Sequence, residues 1–347
     1  MKKLSCILPL ILAVGLTASL TACSGGGAPA SPGTPSAPVA AAVKIRIASD
    51  QTDDHFRSQA LFQFERDVES MSNGEIDIEV YTNNALGGAP QFGDAVVDGS
   101  VEMVTAGMTF ANYYGPCAAF DTPFLISTWD DARKVFGSDY ARSVFDDMTA
   151  QVGVRFLAFD TLGFRAFGSV QPISAMSDFR GIKCRTTTSP VYLKMVENLG
   201  ANPVAFTLSE LFTALEQKAC DALELPVGTI NSNKYYENAK YILDTKHMLT
   251  TGMLIINEKF YQTLSAEQQS ILLEAAKMYQ NNSCDYCEQY EKDVFDIMSA
   301  AGAVIAVPTA EFMEQMRASE EGIVDVIEAD YPGSTEIVDN IRNILTQ

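Results

Sequence analysis

Residues 43–81 read VKIRIASDQTDDHFRSQALFQFERDVESMSNGEIDIEVY. Apolar and polar residues alternate over 43–49 and again over 76–81, which is the period of a β-strand. Between them, residues 54–71 carry apolar side chains at the three- and four-residue spacing of a helix. The stretch therefore predicts a strand, a helix and a second strand in succession, the basic unit of an α/β protein.

The same rhythm continues along the chain. It predicts helices at 91–97, 190–199, 209–217, 266–278 and 285–300, and strands at 101–105, 153–159, 181–185 and 303–307. Because strands and helices alternate, we expect an α/β fold with mainly parallel sheets. The chain has 347 residues, a length typical of about two domains.

The composition excludes several classes of protein. Apolar residues make up 47% of the chain, as in an ordinary folded protein, so wholesale disorder is excluded. The 44 acidic residues against 24 Lys and Arg give a net charge of -20, so the chain lacks the basic face that a nucleic-acid-binding protein needs. Beyond the first 25 residues, no stretch has the ~20 consecutive apolar residues of a membrane span.

The N-terminus is similar to the export signal of a bacterial lipoprotein. A short basic start precedes an almost wholly apolar run at 4–16, which is too short to cross a bilayer. Residues 20–23, LTAC, resemble a lipobox. We therefore expect a lipoprotein signal peptide over 1–22 and lipid attached to Cys23. The alternative is an ordinary signal peptide, with Cys23 unmodified.

The residues after this signal have the composition of a linker. Residues 24–40, SGGGAPASPGTPSAPVA, carry no charge and cannot form a core. The segment 23–42 is therefore predicted to be a flexible, lipid-anchored tether. The protein is then extracytoplasmic, held to the lipid bilayer in the periplasm or on the outer face of the cytoplasmic membrane.

The sequence lacks the common signals of catalytic and metal sites. It has no G-x-S-x-G, no glycine-rich phosphate loop and no H-E-x-x-H. His55 and His247 are isolated, and each is predicted to be structural. Cys284-x-x-Cys287 has no second cysteine pair or nearby His, which argues against zinc. We expect no enzyme activity, no metal and no cofactor, and we expect small buried cysteines with at most one or two disulfides.

Two arginines stand out in the middle third of this acidic chain. Arg165 follows residues 162–164, LGF, and Arg185 ends the strand predicted at 181–185. Both flank predicted strand ends, where α/β sheets place their ligand crevices. A guanidinium matches a carboxylate with two parallel hydrogen bonds. The pair is a candidate clamp for an anion, and surface salt bridges to the many acidic residues are the alternative.

Eight segments carry a further signal: IEVYTNNALGG (78–88), VVDGSVEMV (96–104), AAFDTPFLI (118–126), LGFR (162–165), SDFRGIKCR (177–185), LGANPVAFTLSELFTALEQKACDALELP (199–226), KYYENAKYI (234–242) and LIINEKFYQTLSAEQQ (254–269). In order and spacing they resemble the extracytoplasmic solute-binding proteins of TRAP transporters, the DctP family. The resemblance runs from about Val43 to beyond Val307.

This resemblance implies a two-lobed α/β fold of the periplasmic-binding-protein (Venus flytrap) type, with a cleft between the lobes. Crossing strands and a long helix would join them. Lobe I is expected over 43–162 and about 251–290, and lobe II over 163–250 and about 291–347. The implied function is to capture a small organic anion and deliver it to the small and large membrane subunits of an ion-gradient-driven transporter. Presentation of the ligand to a sensor kinase or chemoreceptor is the alternative.

The resemblance also assigns roles to individual residues. Arg185, at the family's G-x-K-x-R position, is expected to bind the ligand carboxylate, and Arg165, at the G-x-R position, to contact the same group. Further residues expected to line the cleft are Thr188, Ser189, Ser49, Asp50, Gly107, Met108 and Thr109.

Two positions depart from the family pattern. The family usually has Asn where this chain has Leu225, and Phe where it has Leu208. A hydrogen bond to a charged group contributes about 1.5–3 kcal/mol, so the lost Asn must be offset by other contacts or by a different ligand. With Met108, these leucines suggest a wider apolar pocket. Two ligand classes stay open: an aromatic or branched carboxylate, and an organosulfonate of the isethionate type.

Overall fold

The computed structural model of the chain describes residues 42–347. The signal peptide predicted at 1–22, the tether up to residue 41 and the lipidation site Cys23 lie outside the described residues. Within the described part, no helix has the length and apolarity to span a lipid bilayer.

The described residues form a mixed α/β fold. Its strands are β1 (Val43–Ala48), β2 (Ile76–Tyr81), β3 (Met103–Gly107), β4 (Val154–Ser169), β5 (Lys183–Thr186), β6 (Asn202–Ala205), β7 (Ala222–Pro226), β8 (Tyr241–Leu243), β9 (Leu249–Asn257) and β10 (Val304–Ala306). Its α-helices are α1 (Phe56–Met71), α2 (Ala89–Asp98), α3 (Trp129–Phe136), α4 (Asp139–Ser143), α5 (Met148–Val152), α6 (Pro190–Asn198), α7 (Leu208–Glu216), α8 (Val227–Ser232), α9 (Glu258–Tyr261), α10 (Ala266–Ala300), α11 (Ala310–Ser319), α12 (Ile323–Asp330) and α13 (Ser334–Thr346). Short 3-10 helices cover Met108–Asn112, Gly115–Asp121, Met176–Phe179 and Tyr235–Glu237.

The strands follow the order β2-β1-β3-β9-β4-β7-β5-β6, with β8 also paired to β4 and β10 paired to β8. Pairs among the outer strands are parallel, as predicted. Strands β4 and β9 run antiparallel to each other and to all their other neighbours. The expectation of mainly parallel sheets is therefore wrong at the centre, where two long strands run in opposite directions.

Strand β4 connects the two halves of this sheet. Its residues up to Phe164 pair with β9, and from Arg165 onward they pair with β7. The strand predicted at 153–159 continues to Ser169. Almost every residue after Phe159 is buried. A strand buried on both faces shows no alternation of apolar and polar residues, so its period is not visible in the sequence.

Strands β6 to β9 were not predicted, and the same reason explains β7 and β9. All residues of β7 and β9 are buried, so neither shows a half-exposed pattern. Helix α10 was predicted as two helices, 266–278 and 285–300, but it is one helix of 35 residues. Residues 279–284, between the two predicted helices, are mostly polar but belong to α10. Tyr279 and Ser283 stabilise this part of the helix, because they are buried and donate hydrogen bonds to Asp160.

Helices cover both faces of the sheet. Helices α1 and α10 share one apolar cluster with β1, β3 and β9. Helices α7 and α8 pack with β7 and the end of α10 in a second cluster. Helices α2, α3, α6, α11, α12 and α13 contribute to the cluster on the opposite face, and α13 packs on α3 and on the 3-10 helix Gly115–Asp121.

The cysteines within residues 42–347 are buried, as predicted. Cys184, Cys220, Cys284 and Cys287 are free thiols in the described structure. The two cysteines of the C-x-x-C pair lie one turn apart on α10 and form no disulfide with each other.

Candidate functional site

One side of the site lies at the carboxyl ends of β1 and β3. These strands are parallel neighbours, so the residues that follow them meet at one edge of the sheet. Ser49 and Asp50 follow β1, and Gly107 ends β3. Ser49 is buried and Asp50 is half-buried. Met108 and Thr109 begin the 3-10 helix after Gly107, and their side chains lie outside the described part.

Arg165 lies inside β4, at the residue where the strand changes its neighbour from β9 to β7. The prediction that it flanks a strand end is therefore wrong. Its guanidinium is buried and faces the carboxylate of Glu224, with Nη2 donating to Oε2 at 2.7 Å and Nε donating to Oε1. Nη2 also donates to the Glu224 carbonyl at 2.9 Å, and Nη1 donates to Thr250 Oγ1 at 3.0 Å. The guanidinium carbon lies 4.7 Å from the centre of the Tyr192 ring.

Glu224 is the centre of this buried network. Its Oε1 lies 3.0 Å from His247 Nε2, and its Oε2 accepts from Thr186 Oγ1 at 3.2 Å. Burial by itself raises the pKa of the Glu224 carboxyl. The Arg165 charge and the hydrogen bond from His247 outweigh burial and lower the pKa from its ordinary value of 4.5 to about 2. Burial lowers the pKa of His247, so the ring is neutral at pH 7, with the proton on the nitrogen that faces the carboxylate. The network therefore contains one cation and one anion.

Arg185 has a different environment. It pairs in parallel with Leu223, so strand alternation places its side chain on the face of Leu223 and Leu225, opposite that of Glu224. Its Nε donates to the Phe206 carbonyl at 2.9 Å. Its buried Nη1 has no hydrogen-bond partner among the described residues. Burial and the Arg165 charge lower the pKa of Arg185 to about 10, so it is a cation at neutral pH.

The two leucines that depart from the family pattern belong to one apolar cluster. Leu225 is buried in it, and Leu208 packs against it. The Leu208 carbonyl accepts a hydrogen bond from the Tyr235 hydroxyl at 2.6 Å. Arg185 therefore shares its face of the sheet with the apolar side chains of Leu223 and Leu225.

The hydroxyl residues after β5 are more exposed. Thr188 is exposed in the loop, and Ser189 is the half-buried N-cap residue of α6. The Ser189 side chain makes no capping hydrogen bond. Their contact with a ligand stays a prediction, as does that of Ser49 and Asp50.

Sequence reasoning missed five members of the network: Thr186, Tyr192, Glu224, His247 and Thr250. Glu224 stands directly before Leu225, and strand alternation could have shown that these two side chains face opposite ways. His247 is predicted to be structural, and it is a buried, hydrogen-bonded residue. Its hydrogen-bond partner is Glu224, the carboxylate that also binds Arg165. Thr250 lies in β9, which was not predicted. In residues 42–347, no group of three or more His, Cys, Asp or Glu could hold a metal ion.

A family model for bacterial extracellular solute-binding proteins, family 7 (DctP), matches residues 47–330. The chain belongs to this family. Family 7 proteins are solute-binding proteins and not enzymes. Among its relatives, the sialic acid-binding periplasmic protein SiaP of Vibrio cholerae is 28% identical over 252 residues, which are 72% of this chain and 78% of SiaP.

Solved structures agree with this assignment. A TRAP periplasmic solute-binding protein of Haemophilus influenzae with bound L-gulonate is 28% identical, with a TM-score of 0.83 over 87% of this chain and 99% of that one. The sugar-acid-binding protein of Advenella mimigardefordensis with galactonate is 26% identical, with a TM-score of 0.83 over 88% of this chain and 98% of that one. This family 7 protein therefore has the two-lobed α/β fold with a cleft between the lobes, as expected.

Proposed function

We propose that this protein captures a small organic anion through Arg185 and Arg165 and delivers it to the membrane subunits of a TRAP transporter. The observation that carries the proposal is the contrast between the two arginines. Glu224 neutralises Arg165, whereas Arg185 is a buried cation whose Nη1 has no partner in the part of the chain that the structure describes. A buried charge without a counter-charge is costly. An anionic ligand would supply that counter-charge.

The two arginines then have different roles. The four hydrogen bonds of Arg165 to Glu224 and Thr250 leave one N–H of Nη1 for a ligand. Arg185 supplies the main pair of donors, because among residues 42–347 its Nε is hydrogen-bonded and its Nη1 has no partner. Sialic acid, L-gulonate and galactonate, which the relatives' names mention, are all carboxylic acids. They support a carboxylate as the bound group.

Closure of two lobes would accompany binding. In this proposal, lobe I covers 43–162 and about 251–290, and lobe II covers 163–250 and about 291–347. Thr229 Oγ1 in lobe II then donates a hydrogen bond to Gln51 Oε1 in lobe I at 3.4 Å. A ligand that touches both lobes favours the closed state by its differential affinity. The LTAC motif supports a further part of the proposal, that lipid on Cys23 and the segment 23–42 hold this receptor at the membrane.

The first test is a thermal-shift screen of the mature chain, residues 23–347, against carboxylates, sulfonates and aromatic keto acids. A ligand at 100 times its dissociation constant adds about 2.7 kcal/mol to the free energy of unfolding, which raises the melting temperature visibly. Stabilisation by carboxylates supports the proposal. If only sulfonates stabilise the protein, Leu225 marks a change of specificity from carboxylates to sulfonates. If no acid stabilises it, the proposal is contradicted.

The second test is Arg185→Ala. We expect it to abolish binding of the acid found in the screen, measured by isothermal titration calorimetry, while circular dichroism shows an intact fold. Arg180→Ala is the matched control, because Arg180 is exposed on the same segment and should leave the affinity unchanged. Unchanged affinity in Arg185→Ala would disprove the arginine clamp.

A further inference from the structure

A second buried carboxyl group is connected to Arg165 through Tyr192. It belongs to Asp121, the last residue of the 3-10 helix Gly115–Asp121, which is 2% exposed. Asp121 Oδ2 accepts a hydrogen bond from the Tyr192 hydroxyl at 2.7 Å, and the ring of the same tyrosine lies 4.7 Å from the guanidinium carbon of Arg165. In the described part of the chain, Asp121 Oδ1 has no hydrogen-bond partner. The arginine clamp assigns no role to this carboxyl group.

The ionisable groups around Asp121 come from four elements: Arg165 from β4, Tyr192 from α6, Glu224 from β7, and Cys117 from its own 3-10 helix. Burial holds the pKa of the Tyr192 hydroxyl and of the Cys117 thiol well above their ordinary values, so both are neutral at pH 7. Burial also raises the pKa of Asp121, to about 7, although the Tyr192 hydrogen bond and the Arg165 charge act in the opposite direction. Asp121 therefore changes its charge near neutral pH.

The charge of Asp121 decides the charge balance of the clamp. Arg165 and Arg185 are cations and Glu224 is an anion, so with a protonated Asp121 the four groups carry one net positive charge. One anionic ligand then balances the set. With an ionised Asp121 the set is already balanced, and a ligand would add an uncompensated negative charge to a buried site, which is costly.

We propose that capture of an anion by Arg165 and Arg185 is coupled to the uptake of a proton by Asp121, and that Tyr192 links the two groups. Asp121 contacts Tyr192 and acts on the ligand through Arg165, so it is a positioning residue that also adjusts the charge of the site. This inference rests on the proposed function, because it takes the two arginines to bind the ligand.

The sign of the coupling follows from like-charge repulsion. A bound anion disfavours the ionised form of Asp121 and raises its pKa above the value in the free protein. Affinity is therefore highest below about pH 7, falls as the pH rises above 7, and becomes constant above the pKa of the bound state. The ligand does not titrate in this range, because an ordinary carboxylic acid has a pKa of about 4.

Two quantities measure the coupling. If the anion raises the pKa of Asp121 by about one unit, the affinity should be about sevenfold lower at pH 8.5 than at pH 6. Each ligand bound at pH 7.5 should then take up about half a proton. His247 does not supply this signal, because burial lowers its pKa and the ring is neutral at pH 7.5.

Isothermal titration calorimetry of the mature chain counts the protons. The probes are L-gulonate, galactonate and phenylpyruvate, each measured at pH 7.5 in phosphate and in Tris. These buffers differ in their enthalpy of ionisation, so the difference between the two binding enthalpies gives the number of protons taken up. Titrations at pH 6 and 8.5 give the change in affinity.

Two variants and a control assign the proton. Asp121→Asn keeps an acceptor for the Tyr192 hydroxyl but does not titrate, so we expect no proton uptake and a constant affinity from pH 6 to 8.5. Tyr192→Phe keeps the ring beside Arg165 but removes the hydrogen bond that favours the ionised Asp121, so uptake should move to higher pH. Glu320→Gln is the matched control. Burial raises the pKa of Glu320 to about 7 as well, but the charge that acts on it is Lys194, so proton uptake should equal that of the unchanged protein.

Binding without proton uptake, or uptake that persists in Asp121→Asn, would overturn the inference and leave the clamp intact. If Asp121→Asn does not fold, Tyr192→Phe decides, because uptake at an unchanged pH would contradict a role of Asp121. Binding of none of the three acids would overturn the inference as well, and the wider screen of acids would then decide the proposed function separately.

Discussion

Arg165 and Glu224 form an ion pair that is almost completely out of contact with water. Such a pair contributes little net stability, because desolvation of two charges offsets their attraction. Removing one partner is different, since it leaves the other charge buried and uncompensated. At the scale of single residues, Glu224 is therefore the side chain on which the charge balance beside the ligand site depends.

Glu224→Gln should lower the free energy of unfolding by about 3–5 kcal/mol, because Arg165 would keep its charge without a counter-ion. Urea denaturation at pH 7 measures this change. Glu216→Gln is the control, since Glu216 is exposed at the end of α7 and its replacement should shift the free energy by less than about 0.5 kcal/mol. Equal stability of the two variants would mean that the ion pair is dispensable.

At the scale of elements, β4 and α10 meet at a register shift between Thr161 and Gly163. Gly163 has a φ of +87°, in the left-handed region. A Cβ there would lie 2.5 Å from Glu291 Oε1 and 2.7 Å from Cys287 Sγ, both on α10. Glu291 Oε1 accepts the backbone N–H of Phe164 at 2.7 Å, which ties the long helix to the point where β4 changes its neighbour.

Gly163→Ala should therefore destabilise the protein for two reasons, backbone strain and overlap with α10. Gly181→Ala separates them, because Gly181 has a φ of +80° but no atom within 4 Å of its added Cβ. Strain alone costs about 1–2 kcal/mol, and overpacking adds about 1–3 kcal/mol. Chemical denaturation should rank Gly163→Ala as the less stable variant. Equal losses of stability in the two variants would show that Glu291 moves away from the added Cβ without destabilising the protein.

At the scale of the whole molecule, stability depends on buried carboxyl groups. Burial raises the pKa of Asp121, Glu291 and Glu320 to about 7 each. For Glu291, whose ordinary pKa is 4.5, the folded chain binds more protons than the unfolded chain between pH 4.5 and 7. Its contribution to the free energy of unfolding therefore falls as pH rises through this window and is constant above it.

Glu291→Gln removes that titration. The free energy of unfolding of the variant, relative to the unchanged protein, should rise from pH 5 to pH 8 by on the order of 2–3 kcal/mol. Urea denaturation at four pH values between these limits measures it. Glu274→Gln, an exposed residue on the same helix, should show a constant difference. Parallel pH profiles of the Glu291→Gln variant and the unchanged protein would refute a titration of Glu291 in this range.

Prediction from sequence succeeded where one face of an element is exposed. Strands β1 and β2 and helices α1 and α6 lie within two residues of their predicted ends. It failed for β7, for β9 and for the second half of β4, because elements buried on both faces carry no alternation. The site shows the same division. Arg165 and Arg185 were identified from short local motifs, whereas Glu224, His247 and Thr250 were not.

The sequence by itself determined the family, the α/β class and the two arginines, because these depend on local patterns and motif order. Only the tertiary structure decided which of the two arginines is paired with a buried carboxylate. The partners of Arg165 lie 59 and 85 residues away along the chain, and crossing strands bring them within hydrogen-bond distance. Arg185 lies on the opposite face from Glu224, beside Leu223 and Leu225, and its Nη1 has no hydrogen-bond partner among residues 42–347. Charge compensation follows distance in space, which spacing in sequence does not encode.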